Sequence, residues 1–262
     1  MENILILETR NQVMEYQYQI EKLFEKIFFR RLINFKHLFL ENPYRCKIIC
    51  YVENNSILGV GAISYFEFYL DNILHKYYIF TTSMIDESVR SKGVYFKILD
   101  IIKHIAFVDG VDFILAFPNH HAYPILSRRS FQLLSRYSFG LLDNLKSLKY
   151  NYPRLEFNND YLNWRFKTNK YYQFNTELNS KPVQIIYKIY DQKIDVLHIF
   201  DKKIFIDLEE RVIGLNEKIL TPMHIKDLSK RENPEGIVNM MYFPINKQKI
   251  ELAFSPILSD VF

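Results

Sequence analysis

Between residues 46 and 84 the chain alternates long apolar runs with short polar breaks, and this stretch narrows the choice of folds more than any other. Cys46 to Glu53, the turn Asn54-Asn55-Ser56 and Ile57 to Leu70 predict a hairpin; Asp71-Asn72 then supplies a second turn before a strand over Lys76 to Met84. Three long strands in succession make an antiparallel meander, which needs at least one face covered. The cover is written next in the chain. From Val94 onward, Ile98, Ile101, Ile102, Ile105 and Val108 fall on one helical face, Lys97, Asp100, Lys103 and His104 fall opposite, and Gly110 is placed to end the helix.

The flanking segments extend this unit. Asn3 to Glu8 reads as a strand, Val13, Ile20, Leu23, Phe24, Ile27 and Phe28 recur at helical spacing, and Phe35 to Leu40 reads as a short helix closed by Asn42-Pro43. On the far side, Phe113 to Phe117 reads as a buried strand and Ala122 to Arg129 as a further helix. The expected fold is α/β in the broad sense (α+β): a mixed, mostly antiparallel sheet flanked by helices. With 22 Phe and 19 Tyr but only seven Gly, each glycine is expected to have a positional reason.

The polar stretch after Tyr150, with Pro153, Asn158, Asn159 and Asp160, is the best boundary, dividing the chain into 1–150 and 151–262. In the second part Tyr161 to Lys167 predicts a short helix, Val183 to Tyr190 and Ile194 to Phe200 a hairpin, Phe205 to Ile213 a helix, and Ile237 to Tyr242 and Lys249 to Phe254 closing strands. This order repeats that of the first part weakly, with Phe35-Lys36-His37 and Trp164-Arg165-Phe166 at comparable points.

Charge and cysteine content limit the function classes. A net charge of +4 without any basic run argues against nucleic acid and suits a polyanionic small molecule. Cys46 and Cys50 share one face of a strand and have no disulfide or metal-ligand spacing, and His37, His75, His104, His198 and His224 are scattered, so no metal is assigned. The opening Met-Glu-Asn-Ile-Leu-Ile-Leu-Glu lacks the positive region of an export signal, and no segment has the roughly 18 apolar residues of a membrane span. The expected location is the cytoplasm.

Chemistry concentrates where the third meander strand runs into the long helix, through Ser83-Met84-Ile85-Asp86-Glu87-Ser88-Val89 and Arg90-Ser91-Lys92-Gly93-Val94-Tyr95. A turn that opens a helix aims free amides and the positive end of the helix dipole at one point, where a pyrophosphate can be held. Gly93 permits close approach of an anion, and Arg90 and Lys92 add charge. A second cluster, Phe117-Pro118-Asn119-His120-His121-Ala122, precedes the following helix and is closed by Arg128-Arg129-Ser130-Phe131.

In these two clusters the chain resembles the GNAT acyltransferase superfamily, whose acyl-CoA loop reads Gln/Arg-x-x-Gly-x-Gly/Ala between its fourth strand and third helix. Arg90 and Gly93 match, while Tyr95 stands where many members have a small residue, as it does in some two-domain members. Asn119 and Ala122 match the strand-end Asn and the Ala three later; Ser130 replaces the usual Gly, and Leu126 occupies the place of the tyrosine that protonates the departing thiolate. The resemblance covers about residues 3 to 145 and implies acyl-CoA as co-substrate, held by Arg90, Ser91, Lys92, Gly93, Val94, Tyr95 and Asn119, with Ser83, Met84 and Ile85 pairing the pantetheine arm. The second part would be a smaller, degenerate GNAT-like half that shapes the acceptor site.

The implied reaction is N-acylation of a primary amine on a small molecule, with a nucleotide-linked amino sugar of bacterial surface polysaccharide as the leading acceptor. Tyr123 is the candidate acid, and Glu67, His120 and His121 are the candidate bases. Peptide (Fem-like), aminoacyl-tRNA and aminoglycoside acceptors stay open, as do homodimerisation and a GNAT-fold binding module that has lost catalysis.

Overall fold

The computed structural model describes residues 3–70, 72–142, 155–167, 171–178, 180–190, 192–201, 203–213, 217–224 and 237–246. Strand β1 (Ile4–Leu7) leads into helix α1 (Arg10–Phe28), and a π-helical turn over Lys36–Leu40 precedes the meander β2 (Cys46–Glu53), β3 (Ser56–Leu70) and β4 (Ile73–Ile85). A 3-10 turn over Glu87–Lys92 then enters α2 (Val94–Val108), followed by β5 (Phe113–Ala116), α3 (Ala122–Arg128) and β6 (Gln132–Leu142). The remaining elements are β7 (Leu155–Glu156), α4 (Asn159–Arg165), β8 (Tyr171–Leu178), β9 (Lys181–Tyr190), β10 (Lys193–Phe200), β11 (Glu209–Glu210), β12 (Ile219–His224) and β13 (Ile237–Pro244).

Local chemistry sets the ends of the helices. Thr9 and Gln12 form a reciprocal capping box at the start of α1, and Phe29, at φ 54°, closes it by donating its amide to the Glu25 carbonyl. Gly110, at φ 66°, follows the last turn of α2.

The strands form one sheet in the order β1-β2-β3-β4-β5-β13-β6-β12-β10-β9-β8-β11, with β7 added against β3. The two parts of the chain share a strand plan. β2, β3 and β4 are antiparallel with β5 parallel to β4; β8, β9 and β10 are antiparallel with β12 parallel to β10. At the centre the parts exchange strands: β13, from the C-terminal part, lies between β5 and β6, and β6 pairs on its other side with β12. The expected boundary at 150/151 and the expected strand over 249–254 fall outside the described residues.

Helices α1 and α4 cover one face of the sheet. Val13, Ile20, Leu23 and Phe24 of α1 pack with Ile48, Cys50, Val60, Ala62, Tyr77 and Ile79, and the same core continues through Trp164 and Leu197. His37 and Trp164, at the two comparable points in the sequence, stack at 4.9 Å, and the indole N–H donates to the His37 carbonyl at 2.9 Å. Cys46 and Cys50 belong to this core, and burial pushes both thiols up to about 12, which leaves them unreactive.

Helices α2 and α3 cover the opposite face. There β3 carries Gly59 and Gly61, above which Val94 and Ile98 sit: a Cβ at Gly61 would lie 2.6 Å from Ile98 Cγ2, and one at Gly59 2.9 Å from Val94 Cγ1. The two glycines let α2 press onto the sheet at its N-terminal end.

One expected element is overturned: Phe205 to Ile213 is not helical. Its backbone groups are taken by neighbours rather than by a helical ladder. Just before it the Ile204 amide donates to Gln184; within it Gln173 donates to the Leu208 carbonyl, the Arg211 amide donates to the Gln173 carbonyl, and Glu209–Glu210 pair with the edge of β8. Phe205 and Val212 are 81% and 70% exposed, so the segment presents no apolar face to a core. Strands β6, β8 and β12 come in addition to the expected elements.

Candidate functional site

The parallel pairing of β4 with β5 runs from Tyr77–Phe80 against Phe113–Ala116 and then stops. Beyond that point the strands diverge. Thr81, Thr82 and Ser83 form one wall of a cleft of about 440 Å³, and Phe117, Pro118 and Asn119 form the other. A bulge in β4 shapes the first wall: Ala62 pairs with Thr81 and Val60 with Met84, so Gly61 faces both Thr82 and Ser83. The extra residue exchanges the two faces of the strand, which is why Phe80 and Ile85 share one core and Ile79 and Met84 the other. Thr82 takes φ 49°, rare for a β-branched residue.

The loop that follows is pinned from below. Asp86 is 3% exposed and accepts from the Lys26 ammonium at 2.5 Å, from the Ser88 amide and from the Ser88 hydroxyl. The Lys26 ammonium and then the Ser88 amide hold its carboxyl down at about 2. Because the folded pKa lies below the unfolded one, the stabilisation is complete above about pH 4 and disappears as pH falls toward 2. Asp86→Asn is expected to destabilise the protein at pH 7 by about 1–2 kcal/mol, a figure reduced because Lys26 is solvent-exposed, and the difference from wild type should vanish in acid melts.

At the mouth of α2, Gly93 takes φ 67°, and a Cβ there would meet nothing within 4 Å, so the turn opens to solvent. The Phe96 and Lys97 amides both bond the Gly93 carbonyl; helix geometry leaves those of Val94 and Tyr95 without an intrahelical acceptor. Arg90 donates to the Ile85 carbonyl and reaches Glu87, and Lys92 pairs with Glu53 at 2.8 Å. Of this loop and turn, Tyr95 is the residue that reaches the cleft. It forms part of the wall and does not fill the space.

On the other wall, Asn119 accepts from the His121 and Ala122 amides and so starts α3. His120 and His121 are exposed, stacked on each other at 3.8 Å, and do not line the cleft. Tyr123 also stays outside it: Arg136 donates to its hydroxyl at 2.9 Å and to Asn239 at 3.0 Å, an arrangement made by the β6–β13 pairing. From α3 the cleft is lined by Ala122 and, one turn along, by Leu126.

Glu67 is not brought to this site. It pairs in register with Lys76, six residues and roughly 20 Å along β4 from Thr82, and accepts from the Tyr65 hydroxyl in a separate depression with Tyr78 and Asp109.

Residues from outside the motifs complete the cleft: Phe24, Phe28 and Arg30 from α1 and the turn after it, and Lys188, Asp195, Leu197 and Val238 from the C-terminal part. Lys188 and Asp195 stand opposite each other in the β9–β10 register and pair at 3.5 Å. That register follows from the pairing of Tyr190 with Lys193 at the close of the hairpin, so this pair could have been found in the sequence; nothing there marks the bulge at Thr82. Among the described residues no group of His, Cys, Asp or Glu side chains could hold a metal, and no helix is long and apolar enough to cross a membrane.

No family model and no curated protein matches the sequence. Solved structures do match the fold. A GCN5-related N-acetyltransferase from Kribbella flavida aligns with a TM-score of 0.63 and 8% identity over 93% of this chain and 72% of that one. One from Anabaena variabilis ATCC 29413 gives 0.59 and 11% over 93% and 73%, and Eis1 from Mycobacterium abscessus gives 0.58 and 9% over 93% and 74%.

Proposed function

We propose that this chain, which has the fold of the GCN5-related N-acetyltransferases, transfers an acyl group from acyl-CoA, acetyl-CoA foremost, to a primary amine of a small molecule. The observation that carries the proposal is the fork: β4 and β5 part beside the N-terminus of α2 and leave a cleft open to a slender thioester arm. Backbone around Ser83, Met84 and Ile85 would pair the arm, and the amides at Gly93, Val94 and Tyr95 would receive the diphosphate, with Arg90, Ser91 and Lys92 around it. Lys92 must first exchange Glu53 for phosphate.

In the reaction the amine nitrogen attacks the thioester carbon, the C–N bond forms, the C–S bond breaks, and sulphur leaves with the electron pair. The proton lost by nitrogen goes to solvent, and the thiolate regains one from solvent. Holding both reactants in line supplies much of the acceleration, roughly 7–11 kcal/mol in well-oriented cases. A dedicated base is therefore not required, which agrees with the exposed positions of His120 and His121 and the distant position of Glu67.

We further propose the division into a cofactor half, 1–150, and a degenerate half, 151–262, that shapes the acceptor site. The presence of Lys188, Asp195 and Leu197 in the cleft wall supports it, as does the lack of a helix over the described residues between β10 and β12, where the first half has α2. A bacterial cytoplasm and a nucleotide-linked amino sugar complete the proposal.

The test is purified protein with acetyl-CoA and a panel of nucleotide-linked amino sugars, aminoglycosides and peptides, followed by free CoA thiol. Amine-dependent thiol release is the expected result. Absence of both release and CoA binding by calorimetry overturns the proposal. Binding without turnover of any amine would instead fit a non-catalytic acyl-CoA module, a reading favoured by Leu126 in the cleft and by Tyr123 held outside it by Arg136.

A further inference from the structure

Two buried hydroxyls in the cleft wall have no evident role in the protein itself. Thr82 is 9% exposed, and its Oγ1 makes no hydrogen bond among the described residues. Tyr95 lies on the first turn of α2 with its ring near Phe80, at 6.3 Å between centroids, and its hydroxyl is likewise buried without a well-formed hydrogen bond. Both line the same cleft at the fork of β4 and β5. A buried hydroxyl left unpaired costs about 1–3 kcal/mol, and Thr82 adds a backbone conformation that β-branched residues avoid. Two such costs in one wall of one cleft are accounted for if a ligand atom accepts from both groups.

We propose that the Tyr95 and Thr82 hydroxyls donate hydrogen bonds to the thioester group of the bound acyl-CoA, in the place where the resemblance would have put an acid on α3. The inference rests on the acyltransferase reading and adds to it the side chains that meet the reacting group. A thioester oxygen gains negative charge as the amine attacks, so donors fixed in an apolar wall strengthen their hold through the transition state. Burial raises the Tyr95 pKa, against a smaller opposing effect of the neighbouring Ser83, which keeps the phenol protonated and therefore a donor at neutral pH. Neither group transfers its proton; the bonds made and broken are those of the aminolysis above.

Calorimetry with two probes separates this inference from the reading beneath it: acetyl-CoA, and S-ethyl-CoA, which has the same arm and nucleotide but no carbonyl. Wild type should bind acetyl-CoA about tenfold more tightly than S-ethyl-CoA, and Tyr95→Phe and Thr82→Val should each reduce that preference to about twofold or less. Thr82→Ser should retain it. Because the Tyr95 hydroxyl has no well-formed bond in the protein, Tyr95→Phe should also unfold at the same or a higher temperature than wild type, an outcome that a structural hydroxyl would not give. Equal binding of the two probes by wild type, or a Tyr95→Phe protein that keeps the full preference or melts several degrees lower, overturns the inference while leaving acyl-CoA binding intact. Failure of wild type to bind either probe overturns the inference and the acyltransferase reading together.

Discussion

Gly61→Val is expected to lower the midpoint of thermal unfolding by about 5–10 °C and to weaken acyl-CoA binding with it. The first Cβ already falls 2.6 Å from Ile98 Cγ2 and 3.1 Å from Phe80 Cε2. Ile98 is fully buried and branched at Cβ, so its methyl has nowhere to turn. Relief has to come from lifting α2 off β3, which carries away the helix mouth that would hold the diphosphate. The added methyls of valine raise the cost to about 3 kcal/mol, at the upper end of ordinary overpacking. Gly110→Ala is the control: its Cβ would meet nothing within 4 Å, so only the left-handed backbone at φ 66° resists, at about 1–2 kcal/mol. A Gly61→Val protein that melts like wild type would mean that α2 does not rest on β3 at this point.

Ala122→Trp is expected to weaken acyl-CoA binding at least about 100-fold, near 2.7 kcal/mol, while the protein stays folded. Ala122 is half-buried at the start of α3 and borders the cleft beside Asn119, so an indole there has the cleft to occupy. The affinity is measured with acetyl-CoA by calorimetry, and circular dichroism checks the fold. Wild-type affinity in this variant would show that the thioester arm does not pass between β4 and β5. The two substitutions fail in different ways, one through packing and one through occupancy, and a matching pair of results would fix both the seat of the helix and the route of the ligand.

The loop around Gly93 and the cluster around Asn119 were legible because each is local. A strand running into a turn and a helix declares its free amides through a glycine and the first helical residues, whatever the rest of the chain does. The roles read for Tyr123 and Glu67 depend instead on partners distant in sequence. Tyr123 is held by Arg136, whose position follows from pairing with Asn239, a contact across 103 residues. Glu67 is on β3, beside the forked β4, and the register with Lys76 puts it at the end away from the fork. The Lys188–Asp195 pair was readable as a cross-strand pair, yet nothing in its hairpin announces that it faces a cleft built by another part of the chain.

The sequence by itself determined the meander, the helix that covers it and the glycine turn between them, because turn residues, apolar period and helix ends act over a few neighbouring positions. The tertiary structure alone decided that β13 would enter between β5 and β6, that one residue of β4 would bulge at Thr82, and that Tyr95 rather than Tyr123 would face the cleft. Strand order and register are selected by the burial of whole faces at once, a free energy that belongs to the assembled sheet and is not carried by any short segment.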